Sequence, residues 1–312
     1  MKIRYQHMSR KPRLFKSFFG VSVSEFDQLY TQVVPVWMAK EHERLSNRPR
    51  KRAVGGGRNY DLPLRERLLM TLMWLKLYLN TDVLAFLFEV DGSTVSRNVR
   101  NLLPTLQALG EATLGWATPP QRGQTKNLAQ ARMEHSDLFA IVDATEQPVQ
   151  RSSNEQTQRQ HYSGKKKRHT RKTQVIVNEH GEIRDVSNST PGSVHDLEHF
   201  RQSGSADRIP TDVGVGGDAG YQGLQNELPE HSVGTVHKAK RNHPLTQAEK
   251  DINREFARTR IIVENTICEL KHFKVLAYRF RHDIDLYDTV FRAVVALVNP
   301  RIQKRVALSM TT

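Results

Sequence analysis

The stretch Leu138–Arg151, LFAIVDATEQPVQR, decides how the chain folds. Five apolar residues, Leu138 to Val142, run without interruption into the carboxylate of Asp143. A short, bounded apolar run reads as a strand covered on both faces. Asp143 has no basic neighbour in sequence, so the strand reads as a rigid post that ends in an acid at a cleft.

Downstream, Thr173–Val177 (TQVIV) and Ile183–Ser187 read as two more strands flanking the turn His180-Gly181. Val213–Gly217 gives a fourth strand and Ser232–Val236 a fifth. Between the third strand and the fourth, the loop GSVHDL leads into a short helix through Phe200. A long helix follows from about 247 to 274, with Ile252, Phe256, Val263, Ile267 and Leu270 as its buried stripe. Strands first and helices packed on them imply a mixed α/β domain.

Upstream the period is helical. Leu64, Leu68, Leu69, Leu72, Leu75 and Leu79 fall on one helix face, and Asp61 with Pro63 marks its start. In NTDVLAFLFEVDGSTVSRNVRNLLPTL a short helix ends near Phe88 and a turn carries Asp91-Gly92. Ser93 then caps a second helix with Val95, Val99 and Leu102 inward. This has the length and turn glycine of a helix-turn-helix, with a plain helical hairpin as the alternative. Thr94, Arg97, Asn98 and Arg100 are left for the outer face as candidate DNA contacts.

The bulk numbers favour nucleic acid as partner. The 312 residues hold 47 Lys+Arg against 33 Asp+Glu, a net charge of +14. Such a field attracts polyanions. Arg44–Arg58 has six basic residues, no acids and three successive glycines, and reads as a basic linker. Arg151–Lys172 has eight basic residues against Glu155 alone. Its centre, with Lys165, Lys166, Lys167 and Arg168, reads as a mobile tip or a phosphate-gripping hairpin. No apolar run approaches the roughly 18 residues of a membrane span, and the N-terminus does not read as a secretory signal. A single cysteine, Cys268, rules out an internal disulfide and suggests a reducing compartment. One helical turn after Glu264, it reads as a core thiol, and Trp37, Trp74 and Trp116 read as packing. His161, His169 and His180 lack metal-ligand spacing and read as DNA-facing or solvated. There is no G-x-S-x-G elbow and no P-loop.

Asp143 has two companions. GGDAGYQG places Asp218 at the end of the fourth strand, and RIIVENTICELKHF places Glu264 at the margin of the long helix's buried stripe. Singly, each has an ordinary structural reading, as turn cap or i, i+4 ion pair. Jointly, three acids at a cleft suit a divalent cation, since Mg²⁺ needs only two or three carboxylates. Two such ions could activate an attacking oxygen and stabilise a leaving one. Arg260 and Lys271 flank Glu264 at i−4 and i+7, positioned to meet DNA phosphates.

Five motifs, IVDATEQPVQR, YSGKKKRHTRKTQ, PGSVHD, GGDAGYQG and RIIVENTICELKHFKVL, occur in the order seen in bacterial insertion-sequence transposases of the DDE superfamily. The sequence resembles that family, in the branch related to eukaryotic Harbinger elements, over roughly residues 60 to 300. The resemblance implies a ribonuclease H-like mixed sheet with flanking helices, preceded by an all-α helix-turn-helix domain. It makes Asp143, Asp218 and Glu264 the metal-binding and catalytic acids, with Asp196 as the alternative second position. His195 and Asp196 match a further feature of the family without a fixed role.

The implied divisions are an N-terminal helical segment and linker at 1–59, a DNA-binding domain at 60–135 and a catalytic domain at 136–305. The implied activity is Mg²⁺- or Mn²⁺-dependent cleavage at element ends, with two ions, then attack of the 3′-hydroxyl on target DNA. The implied partners are the terminal inverted repeats and target DNA, bound by a homodimer or larger assembly, with the chain cytoplasmic at the nucleoid. Two other readings stand beside it: a catalytically silent or domesticated DNA-binding protein, and a stand-alone endonuclease of the same fold.

Overall fold

The computed structural model describes residues 3–46, 60–116, 137, 139–236 and 245–310. Most of the basic linker, Leu138 and the Ile252 side chain lie outside them. The chain divides into two compact units. One comprises Met1–Glu111, Lys271–Ala277 and Ile284–Leu297, the other Ala112–Leu270, Tyr278–Asp283 and Val298–Thr312.

The first unit is helical. Helices α1 (Tyr5–Met8), α2 (Pro12–Phe19) and α3 (Val23–Ser46) precede α4 (Leu64–Leu77), α5 (Thr81–Phe88) and α6 (Gly92–Glu111). The leucine stripe predicts an amphipathic α4, but every residue from Glu66 to Leu75 is buried. A helix covered all round is the centre of its unit rather than one wall. Its polar residues are correspondingly partnered: Glu66 accepts the backbone N–H of Tyr5 at 3.0 and 3.1 Å. Phe15, Phe19 and Phe26 fill the space beside it, Phe15 edge-on to both of the others.

The turn between α5 and α6 is set by Glu89, not by the glycine. Glu89 takes the left-handed conformation at φ 57°, and its N–H closes α5 on Ala85 O. Gly92 already lies in α6, whose first N–H groups bond to Asp91 O, so Ser93 is inside the helix rather than its cap.

The second unit is built on a mixed sheet. Its strands are β1 (Phe139–Pro148), β2 (Tyr162–Ser163), β3 (Arg168–Asn178), β4 (Ile183–Val186), β5 (Thr190–Pro191), β6 (Gly214–Gly217) and β7 (Val233–Thr235). The sheet runs β2-β3-β1-β6-β7, with β4 and β5 also paired to β3. β1 is antiparallel to β3 and parallel to β6, and β6 is parallel to β7. An N-terminal helical region followed by such a sheet with flanking helices is the ribonuclease H-like arrangement expected.

Helices α7 (Glu155–His161), α8 (Asp196–Ser203), α9 (Leu224–Glu227) and α10 (Gln247–Lys271) flank the strands. Ala140, Val142, Ile176, Val215 and Phe200 share one apolar cluster with Tyr221 and Leu224, which Trp116 packs against. On α10, Phe256 lies over Gly216 and Gly234, where any Cβ would crowd its ring. Ten residues on, Thr266 donates to Gly181 O at 2.9 Å. Helix α10 therefore reaches from β6 and β7 to the β3–β4 turn. Cys268, expected in the core, is exposed.

After α11 (Lys274–Ala277) comes the helix α12 (Tyr287–Met310). Asn299 is fully buried. Its Oδ1 accepts the Ile183 N–H at 2.8 Å and its Nδ2 donates to Ile183 O at 2.9 Å. The Gly115 N–H bonds to Arg184 O at 2.9 Å, so backbone groups of β4 beyond its pairing with β3 are also satisfied.

Candidate functional site

Strand β1 does not end at Asp143, as the apolar run predicts, but continues to Pro148. What ends there is one of its two pairings. The parallel ladder with β6 stops at Val142 opposite Gly217, while the antiparallel ladder with β3 runs on through Asp143 opposite Val175. The sheet opens at this point, and Asp143 and Asp218 are the next residues on the two parting strands. Asp218 then caps the turn Ala219–Tyr221, accepting the Gly220 N–H at 2.7 Å.

A third acid joins them. Asp196 opens α8, and a Cβ on Gly220 would lie 2.5 Å from Asp196 Oδ2 and 2.9 Å from Asp218 Oδ1. Glycine is needed here for space, not for backbone conformation. The sequence offers Asp196 and Asp218 as alternatives, yet the structure brings both to one place. The consequence is electrostatic. Burial pushes the Asp143 carboxyl up to about 6; Ala144 N–H opposes this, Asp218 adds to it, Arg260 opposes it and Asp196 adds to it. Beneath them the buried Tyr221 phenol is pushed well above its ordinary range, first by burial and then by the same three aspartates.

The basic surfaces are on separate elements. On α6, Arg97 and Arg100 are exposed and Thr94 is half-buried. Asn98 is not on the outer face as expected: it is buried, accepting Arg67 Nε–H at 2.7 Å and donating to Arg67 O at 3.0 Å. It sits one turn from Val95 and Leu102 on the inward side, where its amide ties α6 to α4. In the sheet unit, β2 and β3 form a hairpin whose turn exposes Lys165, Lys166 and Lys167, with exposed Arg168 opening β3. Of the two forms open in the sequence, the hairpin is the one found.

The family model described as DDE superfamily endonuclease matches residues 142–299. The chain belongs to the DDE superfamily. A second model, the helix-turn-helix of DDE superfamily endonuclease, matches residues 60–112. A probable transposase for insertion sequence element IS702 from Microchaete diplosiphon is 27% identical over 274 residues, covering 86% of this chain and 88% of the relative. A transposase for insertion sequence element IS1106 from Neisseria meningitidis serogroup B is 32% identical over 97 residues, 30% of this chain and 31% of the relative. The DDE-family fold and the helix-turn-helix are thus both present in this chain.

The expectation of metal chemistry is corrected. Among the described residues, no group of three or more His, Cys, Asp or Glu side chains is placed to hold a metal ion. That overturns the reading of a Mg²⁺- or Mn²⁺-dependent nuclease and strand transferase. Two of the acids are already paired with cations of the protein itself. Lys172 Nζ sits 2.6 Å from Asp196 Oδ1, with the lysine side chain only 7% exposed. Asp218 holds a backbone N–H, and Asp143 accepts its neighbour Ala144 N–H at 2.8 Å. Glu264 lies outside the buried stripe with its side chain 51% exposed, and its Oε1 takes Arg260 Nη2 at 2.7 Å. A magnesium ion needs several oxygens at about 2.1 Å in octahedral array, and these carboxylates point at amides and cations instead.

The sequence missed Lys172. It lies in a run of polar strand residues, Thr170 to Gln174, where Thr170, Lys172, Thr173 and Gln174 are all buried. Buried lysines need an acid partner, and the signal available was PGSVHD, which supplies both Val194 O and Asp196 as its acceptors. Arg260 and Lys271, expected to meet phosphates, differ: Arg260 is committed to Glu264, and Lys271 is half-buried at the last residue of α10.

Proposed function

We propose that this DDE-family chain is a DNA-binding protein whose ribonuclease H-like sheet is a catalytically silent scaffold, as in a domesticated relative of a transposase. The observation that carries the proposal is the internal pairing of its acids, Asp196 with Lys172 and Glu264 with Arg260, beside a helix-turn-helix match at 60–112. In this reading Arg97, Arg100 and Thr94 of α6 contact duplex DNA. The hairpin residues Lys165, Lys166, Lys167 and Arg168 grip its phosphates. Arg260 and Lys271 are secondary phosphate contacts, and the division 1–59, 60–135 and 136–305 is a functional one.

The relatives' names refer to insertion sequences, and this supports element-end repeats as the DNA bound, by two or more copies of the chain at the nucleoid. Among the described residues no helix is long and apolar enough to cross a membrane. The acids Asp143, Asp218 and Asp196 then set the electrostatics of the cleft rather than a reaction.

The test is to incubate the full chain with end-labelled fragments flanking its gene, with Mg²⁺, with Mn²⁺ and with chelator. Binding of equal strength in all three, without cutting, is expected. Metal-dependent cuts at fixed positions that disappear in Asp143→Asn would overturn the proposal.

A further inference from the structure

The helical unit holds a cavity of about 340 Å³ lined by residues of α3, α4 and α6 and by Tyr60–Leu62. At its wall is Arg67, on the central helix and only 4% exposed. Two aromatic rings lie against its guanidinium. The Tyr60 ring centroid lies 3.7 Å from Arg67 Cζ and the Trp37 centroid 4.5 Å. Ring stacking compensates a buried positive charge. It does nothing for the N–H groups, which lie in the guanidinium plane.

Nε donates to Asn98 Oδ1 at 2.7 Å, but Nη2 is buried without a hydrogen-bond partner among the described residues. A charged donor left unmatched in a low-dielectric site costs more than a neutral one, and burial pulls the Arg67 pKa down. The cavity wall adds two more guanidinium groups, Arg44 and Arg97, the amide of Asn101 and the hydroxyl of Thr94. Asp61 also lines it, and Arg44 is held by Glu41 at 2.7 and 2.8 Å, so the charge is positive but not extreme. Arg97 is exposed, with its Nε and Nη2 turned back to Ser93 and Thr94. The volume falls at the small end of ligand pockets, which run from about 300 Å³.

We infer that this cavity binds a phosphate group, presented by a small phosphorylated molecule or by a DNA backbone. Planar forks of N–H donors match tetrahedral oxyanions better than any neutral ligand. Arg67 supplies the in-plane donor, pre-oriented by Tyr60, Trp37 and Asn98. The inference stands on the helical unit alone and does not require the sheet to be silent.

The test is isothermal titration calorimetry of the full chain with inorganic phosphate and with deoxyadenosine monophosphate, at chloride-balanced ionic strength. Saturable binding is expected, weakened about tenfold or more by Arg67→Lys, which keeps the charge but loses the fork. Asn101→Leu leaves Arg67 intact and narrows the cavity, so it tests the site even if Arg67→Lys does not fold. It is likewise expected to weaken binding about tenfold or more. Repeating the titration on the DNA-bound chain separates the sources: lost phosphate binding assigns the pocket to a backbone phosphate, and retained binding to a small molecule. No saturable heat below about 10 mM, or equal heats in wild type and both variants, would overturn the inference.

Discussion

Asp143 and Asp218 leave neighbouring parallel strands one residue beyond the same rung, Val142 opposite Gly217. Two carboxylates are thereby set side by side where the sheet opens, one of them largely shielded from water. Burial above all, with smaller contributions from Asp218 and Asp196, lifts the Asp143 carboxyl to about 6.

A raised acid is a stability term. The folded chain binds the proton more tightly than the unfolded chain, so the stabilisation is full below about pH 4 and is lost as pH rises through about 6. At neutral pH the charged form costs the fold about 2 kcal/mol, allowing for partial solvent screening. Asp143→Asn is therefore expected to raise the urea midpoint at about pH 7.5 and leave it nearly unchanged at about pH 4. A lower midpoint at neutral pH would mean that the charge is matched by a cation after all.

His199 has the opposite sign. It is fully buried, with Ser187 Oγ 2.7 Å from Nε2 and Thr190 Oγ1 3.1 Å from Nδ1, and burial pushes it down to about 4. Its contribution is full above about pH 6.5 and is lost as pH falls through about 4, for a total of about 3 kcal/mol. The two groups oppose each other across the same window. The wild-type chain should show little pH dependence there, and Asp143→Asn should expose a steep acid loss that the double variant with His199→Gln removes. Denaturant titrations at four or five pH values decide it.

The two ion pairs should differ sharply in weight. Glu264→Gln breaks an exposed helical pair with Arg260 and is expected to cost no more than about 0.5 kcal/mol. Lys172→Ala strands Asp196 against two like charges and should cost about 3 kcal/mol. Equal costs for the two would contradict the burial difference between them.

Replacing Lys165, Lys166, Lys167 and Arg168 with alanine should flatten the salt dependence of DNA binding, lowering the log–log slope by up to about 3. Fluorescence anisotropy at several salt concentrations measures it. An unchanged slope would remove the hairpin from the DNA interface.

Much of this was readable from residues. The apolar run Leu138–Val142, the glycine-flanked Asp218 and the helix-turn-helix spacing each led to the element found. What escaped has physical causes. An apolar run marks only the part of a strand that packs in a core, so β1 beyond Asp143, with Thr145 and Gln147 buried and polar, read as loop. Periodicity is silent on Arg67, because its contacts with Trp37 and Tyr60 are tertiary. Lys172 and Asp196 are 24 residues apart, and nothing local to either announces the other. That pairing, more than any missing acid, separates this cleft from the metal site its acids suggested.

One side chain at the far side of the sheet has a consequence of a different kind. Asn299→Ala should cost about 2–3 kcal/mol, because it orphans both the N–H and the carbonyl of Ile183; thermal unfolding would measure it. Toward Ile183 its amide gives one hydrogen bond and takes one, as a peptide group of a neighbouring strand would, and Nδ2 also donates to Thr113 O at 3.0 Å. Helix α12 thus lends β4 a counterfeit strand one rung long. An incoming strand finds that rung already taken, so the edge of β4 at Ile183 is closed to pairing with another chain.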